Sequence, residues 1–339
     1  MRRVSNPRNP YQTESVEWLE EPPPAELEVF EEHAKSVLTE NDSPDLPFRF
    51  SVNPYRGCQH ACSYCYARPT HQRLGFGAGT DFERRLVVKV NAPEVLAVEL
   101  AGRRALGHRI AFSGVTDPYQ ALEARYSLTR RLLKVCLQRG RGVGVITKGA
   151  LVARDAQLLS TIHGKFGARV HVSLPFLDRA RAREIEPGAS SPAKRLEAIR
   201  RLADAGVPVG IAFAPWIPGL NDDEIPRVLE AAHEAGARHA WMAPLRLPAE
   251  ARPVFFERLA ESFPGRLKKV ESGLRELREG KLSNSTFHAR FDGAGPRWQT
   301  AKAIFDLTAR RLRLDEDSTF QENERDMSRT EEATQGELF

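Results

Sequence analysis

The chain has 339 residues, of which 41% are hydrophobic, and a formal net charge of +5 at pH 7. This length allows one large domain or two ordinary ones, and the composition excludes global disorder. No uncharged apolar run is long enough to span a bilayer, and the first residues lack the apolar stretch of a secretory signal. We therefore expect a cytoplasmic protein that does not bind membranes.

The small net charge conceals an uneven distribution along the chain. Residues 1–45 contain 4 Lys/Arg and 11 Asp/Glu, residues 314–339 contain 2 and 9, and residues 46–313 are left with a balance of +19. Such an excess of basic residues favours a polyanionic partner such as DNA or RNA. An arginine-rich protein from a GC-rich genome would show the same excess, so charge alone leaves both interpretations open.

In chain order, the first predicted element is a helical pattern over residues 25–38, inside an acidic and Pro-rich arm that spans residues 1–45 and is partly disordered. From residue 46, short β-branched runs alternate with longer helical stretches. They predict strands at 49–53, 86–90, 109–113, 143–147, 169–174, 207–214 and 239–243. They predict helices at 93–104, 127–138, 150–163, 191–205, 222–235 and 253–262, with Ser127 as the N-cap of the second.

This alternation predicts an α/β fold. Apolar strands separated by crossover helices indicate a parallel sheet, and about six βα units are fewer than the eight of a closed TIM barrel. We therefore predict a partial (βα)6 barrel over residues 46–250. A C-terminal helical extension over 251–313 follows, in which a helix at 298–312 covers the open side of the barrel. A disordered acidic tail over 314–339 ends the chain.

Three of the four cysteines lie within eight residues, after the first predicted barrel strand. Cys58, Cys62 and Cys65 have the spacing Cys-x3-Cys-x2-Cys. Three thiolates can bind three irons of a cubane, which leaves the fourth iron open. A zinc site that adds His60 is the alternative, but zinc sites usually pair two ligands with a distant second pair. The remaining cysteine, Cys136, lies on a predicted amphipathic helix and is expected in the core rather than in catalysis.

With Tyr64 directly before the third cysteine, this stretch resembles the CxxxCxΦC motif of the radical S-adenosylmethionine (SAM) superfamily, where Φ is aromatic. The resemblance implies a [4Fe–4S] cluster on Cys58, Cys62 and Cys65, with SAM chelated by the open iron. It implies reductive cleavage of SAM to a 5′-deoxyadenosyl radical that abstracts a substrate hydrogen. An electron donor of the flavodoxin or ferredoxin type is implied as well.

From about residue 5 to residue 314 the sequence is similar to the spore-photoproduct-lyase-like branch, often called DNA repair photolyases. Within this branch it resembles a bacterial subgroup with the motif NPYRGCxxxCxYCYAR, which stands here at residues 53–68. The resemblance implies a lyase-like enzyme acting on an unidentified substrate, with a nucleic acid as the expected substrate class. Spore photoproduct lyase uses a cysteine as hydrogen donor, and none stands at the expected place here. Radical modification of RNA or protein is therefore an alternative, and a metal-containing nucleic-acid-binding module is the non-enzymatic one.

The resemblance also implies SAM contacts, mostly at the carboxyl ends of the strands, from Tyr64, Thr116, Asp117, Lys148, Ser173, Glu186 and Arg195. Thr116 and Asp117 would accept the amino group of SAM, although Thr-Asp-Pro-Tyr also suits a β-turn. Lys148 would pair with the SAM carboxylate or be a solvated lysine. Glu186 and Arg195 would form an ion pair beside SAM, or Arg195 would be an ordinary helix residue. No catalytic residue is assigned.

Overall fold

The computed structural model describes residues 6–11, 25–102 and 105–314. The expected acidic tail therefore lies outside the described residues except for Leu314, as do residues 1–5 and 12–24 of the arm. None of the helices in the described part is long and apolar enough to cross a membrane.

Ten strands are described, and they are β1 (Glu28–Glu32), β2 (Leu38–Glu40), β3 (Phe50–Val52), β4 (Tyr55–Arg56), β5 (Arg85–Lys89), β6 (Ile110–Phe112), β7 (Val143–Thr147), β8 (Ala168–Ser173), β9 (Val209–Trp216) and β10 (His239–Pro244). The α-helices are α1 (Pro69–Gln72), α2 (Thr80–Arg84), α3 (Ala92–Glu99), α4 (Leu122–Tyr126), α5 (Leu128–Gln138), α6 (Ala156–Phe166), α7 (Arg179–Ile185), α8 (Pro192–Asp204), α9 (Ile225–Glu234), α10 (Ala251–Ser262), α11 (Leu267–Leu277) and α12 (Gly295–Arg311). Short 3-10 helices occur at Ala150–Asp155, Asp222–Glu224 and Pro264–Arg266.

The larger sheet has seven strands in the order β10-β9-β8-β7-β6-β3-β2. Six of them are parallel, namely β3, β6, β7, β8, β9 and β10, and β2 pairs antiparallel with β3 at one edge. Helices lie between successive parallel strands, and a continuous apolar core joins the strands to these helices. The predicted α/β fold with six parallel strands is confirmed, and the sheet is open because β10 pairs only with β9 among the described residues.

The strand predicted at 86–90 exists as β5, but it belongs to a separate three-stranded sheet of order β1-β5-β4. The helix predicted over 25–38 is wrong. β1 pairs in parallel with β5 along its whole length, and Val29 packs with the apolar cluster that includes Tyr55 and Leu86. Backbone pairing with a distant strand has overridden the helical spacing of the apolar residues.

The predicted N-cap of α5 is also wrong. Ser127 adopts a left-handed conformation with φ of 51°, and its side chain caps no amide. The carboxylate of Glu123 accepts hydrogen bonds from the amides of Thr129 (2.8 Å) and Arg130 (3.3 Å) instead. Glu123 also accepts a hydrogen bond from the buried hydroxyl of Tyr55 at 2.6 Å. The cap of α5 is thus tied to the strand that leads into the cysteine segment.

The helix predicted at 298–312 is confirmed as α12, which begins three residues earlier. It packs on α9 and α11 and against β10, the free edge of the barrel sheet. The amide of Ala240 on β10 donates to the carbonyl of Leu314 at 2.9 Å, just beyond the end of α12. The C-terminal helix therefore covers the edge at which the barrel stays open.

Candidate active site

The three clustered cysteines lie on the loop that follows β4, which we call the cysteine loop (residues 57–68). Cys58 and Cys62 are buried, and Cys65 is partly buried. Burial raises the pKa of the Cys58 thiol to about 12, and it also raises the pKa values of Cys62 and Cys65. Among the described residues, no group of three His, Cys, Asp or Glu side chains is arranged to hold a single metal ion. In a cubane, by contrast, each thiolate binds a different iron.

Three other segments hold the backbone of the cysteine loop through four hydrogen bonds. Three are between backbone atoms: Cys58 N to Phe82 O (2.9 Å), Ser63 N to Ile185 O (3.0 Å) and Gly188 N to His60 O (3.0 Å). In the fourth, Gln59 N donates to the side-chain oxygen Oε1 of Gln120 at 2.9 Å. The approach at Gly188 is so close that a Cβ atom there would lie 1.8 Å from the carbonyl oxygen of Gln59. Only glycine fits this position without displacing the loop backbone.

A fully buried arginine at the end of the cysteine loop holds the loop backbone in place. Arg68 donates to the carbonyl oxygen of Cys62 from both Nε (3.2 Å) and Nη2 (2.9 Å). The Nη2 atom also lies 2.5 Å from Oε1 of the buried Glu83, and Nη1 donates to the carbonyls of Ala78 and Gly79. Because the charge of Arg68 is matched by a carboxylate and its donors are used, this arginine positions the loop.

Asp117 occupies the turn after β6, and both of its carboxylate oxygens are engaged within the protein. Its Oδ1 atom accepts from the Thr147 hydroxyl (2.5 Å) and the Tyr119 amide (2.9 Å). Its Oδ2 atom accepts from the Lys148 amide (2.7 Å) and lies 3.2 Å from His60 Nδ1. Burial acts to raise the pKa of Asp117, but His60 and these hydrogen bonds outweigh burial and lower it. Asp117 thus links the cysteine loop to the end of β7.

Glu186 is the centre of a second buried network. It accepts hydrogen bonds from the hydroxyl of Tyr64 and from Arg195 Nη2, the latter at 2.5 Å. Lys148 Nζ lies 4.0 Å from Glu186 Oε1 and 5.7 Å from the centre of the Tyr64 ring. Burial opposes ionisation of Glu186, but Arg195 and Lys148 lower its pKa. Burial and the charge of Glu186 raise the pKa of Tyr64, so this tyrosine remains neutral.

The two predicted hydroxyl contacts lie at the same end of the barrel. Ser173 Oγ donates to the carbonyl of Ala214 at 2.9 Å, and Thr116 Oγ1 donates to the carbonyl of Tyr55 at 3.1 Å. The carbonyl of Ser173 accepts from Arg195 Nη1 at 2.9 Å. Both hydroxyls keep acceptor capacity after these bonds.

The structure therefore brings the predicted site residues into two connected networks, joined through the adjacent residues Thr147 and Lys148. Sequence reasoning missed the roles of Gln120 and Gly188 in holding the cysteine loop. It also considered His60 only as a zinc ligand, whereas His60 is paired with Asp117. Gln120 stands directly beside the Thr-Asp-Pro-Tyr stretch, which was a signal that could have included it.

A model of the radical SAM superfamily matches residues 52–232. The chain belongs to this superfamily. A protein of Mycobacterium tuberculosis (strain ATCC 25618 / H37Rv) is 37% identical over 234 residues, which are 68% of each chain. A protein of Methanocaldococcus jannaschii is 29% identical over 201 residues, 59% of this chain and 72% of that one. The fold is similar to that of spore photoproduct lyase complexed with dinucleoside spore photoproduct, with a TM-score of 0.60 at 18% identity, covering 84% of this chain and 79% of that one.

A second structure of spore photoproduct lyase, a mutant with bound AdoMet and dinucleoside spore photoproduct, has a TM-score of 0.56 at 21% identity and covers 84% of this chain and 77% of that one. Radical SAM proteins are enzymes that use a [4Fe–4S] cluster and SAM, so the protein is an enzyme with these two cofactors. The predicted cofactors are confirmed, and the zinc site and the non-enzymatic binding module are wrong. The donor set agrees, because three thiols in one loop are the soft ligands that Fe–S clusters require.

Proposed function

We propose that this radical SAM enzyme is lyase-like, acts on a nucleic acid, and holds its cluster through Cys58, Cys62 and Cys65. The observation that carries the proposal is the bond between Tyr64, which lies inside the cysteine loop, and Glu186, which binds Arg195. Through Arg195, which also donates to the carbonyl of Ser173, this bond connects the cysteine loop to the carboxyl end of β8. A cofactor held at the loop and a second one held at the strand ends would therefore touch.

When bound, the cluster and SAM supply a one-electron reductive cleavage that starts hydrogen abstraction from the substrate. The residues of the chain would bind SAM, orient it and shield it from water. Lys148 offers the cation for the SAM carboxylate, and its backbone is fixed by Asp117. Glu186 and Arg195 fix the Tyr64 ring, which would lie beside the adenine. The Thr116 and Ser173 hydroxyls would accept from the amino group and the ribose, and the burial of both networks excludes water.

Asp117 would act mainly through its neighbours. Its carboxylate oxygens already accept hydrogen bonds from Thr147, Tyr119 and Lys148, and one of them lies beside His60. In this proposal it therefore orients the SAM contacts, and Thr116 provides the free acceptor for the amino group.

Two observations support a nucleic acid substrate. Residues 46–313 carry a balance of +19 charges, which suits a polyanion. The similar fold of spore photoproduct lyase has been solved with a dinucleoside spore photoproduct. Modification of RNA or protein is the other candidate reaction. An electron donor of the flavodoxin or ferredoxin type would supply the electron.

The test compares two cysteine variants of the anaerobically purified enzyme. Cys62→Ala is expected to lose the SAM-dependent change in the electron paramagnetic resonance (EPR) spectrum of the reduced cluster and to stop 5′-deoxyadenosine production. Cys136→Ala is the matched control, because Cys136 is a buried cysteine on α5 and does not belong to the cysteine loop, and it should keep both. A Cys62→Ala enzyme that still forms 5′-deoxyadenosine with full cluster content would refute the ligand assignment.

A further inference from the structure

An exposed aromatic ring on the cysteine loop lies next to an arginine. Tyr66 follows Cys65 directly, is 46% exposed, and donates its hydroxyl to the carbonyl of Gly114 at 2.9 Å. The guanidinium of Arg246, two residues after β10, lies 5.6 Å from the centre of the Tyr66 ring. A cation over a ring at this distance is held by the negative face of the aromatic system.

Arg246 is half-buried, and in the part of the chain that the structure describes no carboxylate lies within ion-pair distance of it. The nearby Arg290 is paired with Asp45, whose Oδ2 atom accepts from Arg290 Nε at 2.7 Å. Burial and the charge of Arg290 lower the pKa of Arg246. Asp45 attracts both arginines but pairs with Arg290, so these two arginines and one carboxylate leave one positive charge uncompensated.

Two exposed phenylalanines lie on either side of Arg290. Phe287 is 50% exposed and Phe291 is 37% exposed, and the guanidinium of Arg290 lies 5.0 Å and 5.1 Å from their ring centres. The exposed parts of both rings are available to a partner.

The loop that carries these phenylalanines is held in place rather than loosely attached. Arg278 is buried, and it donates to the carbonyls of Ala289 (2.8 Å), Asp292 (2.5 Å) and Arg290 (3.3 Å). The same guanidinium donates to the carbonyl of Leu245 at 3.2 Å, next to Arg246. One arginine thus joins the loop to the end of β10, so the exposed rings and the uncompensated cation are fixed relative to each other.

We propose that Tyr66, Arg246, Phe287, Arg290 and Phe291, which we call the aromatic rim, bind a single-stranded segment of nucleic acid at the mouth of the active site. Arg246 binds a backbone phosphate, and the two phenylalanine rings stack an unpaired base. Stacking on aromatic side chains beside a cation is how proteins hold single strands with little sequence preference. The uncompensated charge favours this occupant over an apolar protein surface. The inference rests on the nucleic acid part of the proposed function and names the residues that would recognise it.

The test measures binding of fluorescein-labelled oligo(dT) and oligo(U) to the anaerobically purified enzyme by fluorescence anisotropy. Phe287→Ala and Phe291→Ala should each weaken binding about tenfold at all salt concentrations. Arg246→Gln should weaken it to a similar extent and reduce the slope of log Kd against log salt by about 1. Both phenylalanines are exposed, so their variants should keep the thermal midpoint of the wild type. The two oligonucleotides differ in the 2′-hydroxyl and in the C5 methyl group of the base, and weaker binding of either one by the rim variants supports the inference.

The matched controls lie on other faces. Arg200→Gln removes an exposed arginine paired with Glu197 on α8, and Leu307→Ala removes an exposed apolar side chain on α12. The inference is overturned if the rim variants bind as these controls do, or if the wild type binds neither oligonucleotide. A wild type that binds no oligonucleotide but still forms 5′-deoxyadenosine would overturn the rim and leave the cofactor assignment standing. Oligonucleotide binding that depends on the rim, in an enzyme that does not cleave SAM, would leave the rim standing and overturn the cofactor assignment.

Discussion

Replacing Glu186 by Gln tests the buried network that joins the cysteine loop to the barrel. The carboxylate is 2% exposed, and its partner Arg195 has a side chain that is 1% exposed. Removal of one partner of a buried ion pair typically costs about 3–5 kcal/mol, because the other charge is left buried and unpaired. Arg195 keeps its bonds to the carbonyls of Ser173 (2.9 Å) and Ser190 (2.7 Å), so we expect the low end of this range, about 3 kcal/mol.

The free energy of unfolding is measured by urea denaturation of anaerobic samples, with the far-ultraviolet circular dichroism signal as the readout. The control is Glu271→Gln, because Glu271 forms an exposed i,i+4 pair with Arg275 on α11. Exposed helical pairs contribute about 0.3–0.5 kcal/mol, so the control should unfold almost as the wild type does. A separate readout is the affinity for SAM, followed through the EPR signal of the reduced cluster, which should fall for Glu186→Gln alone.

The contribution of Glu186 to stability should depend on pH in a defined direction. The pKa of Glu186 is lowered in the folded state, so its contribution to stability is present above the pKa of an unfolded glutamate, about 4.3. As the pH falls from that value through the folded pKa, the contribution is lost and the wild type approaches the variant. A Glu186→Gln enzyme that unfolds within about 0.5 kcal/mol of the Glu271→Gln control at neutral pH would contradict the network.

Two further substitutions test the support of the cysteine loop. Gly188→Ala places a Cβ atom 1.8 Å from the carbonyl oxygen of Gln59, so it should cost about 1–3 kcal/mol and lower the iron and sulfide content per chain. Gly164→Ala on α6 meets no atom within 4 Å and should be neutral or stabilising, and equal iron contents would refute the clash. Asp117→Asn should destabilise the enzyme by about 1–3 kcal/mol through its lost charged hydrogen bonds. Because the pKa of Asp117 is lowered, the contribution of its carboxylate should be lost on acidification only below about pH 3.9, and a wild-type advantage that disappears as the pH falls to about 6 would contradict this.

Much of the barrel could be predicted because local signals and the fold agree. Strands such as β7 and β8 are short, apolar and flanked by helical patterns, and their boundaries differ from the predicted ones by at most one residue. The cysteine spacing was equally informative, since three metal-binding side chains in one short segment need no knowledge of tertiary contacts. The place of Lys148 followed from the rule that the carboxyl ends of parallel strands meet at one edge, whereas Glu186, which follows α7, was implied only by the resemblance.

The rest depends on partners that are distant in the chain. β1 is a strand because β5, more than fifty residues later, pairs with it, and nothing within residues 25–38 announces that pairing. The amides at the start of α5 are capped by Glu123, which lies before the helix. No local sequence signal favours Glu123 over Ser127, which directly precedes the helix. Arg278 and Asp45 are ordinary charged residues in sequence, and only the fold shows that they hold the loop with Phe287 and Phe291.

The pairing of β1 with β5 has a practical consequence for anyone who shortens this protein. The superfamily match begins at residue 52, which invites a truncation that removes β1, β2 and two of the three residues of β3. Such a chain would present five residues of β5 as a bare strand edge, because β4 covers only two residues on its other side. Unpaired edges recruit other chains, so the shortened protein should self-associate and precipitate during purification. The acidic arm therefore contributes to solubility through its backbone as well as through its charge.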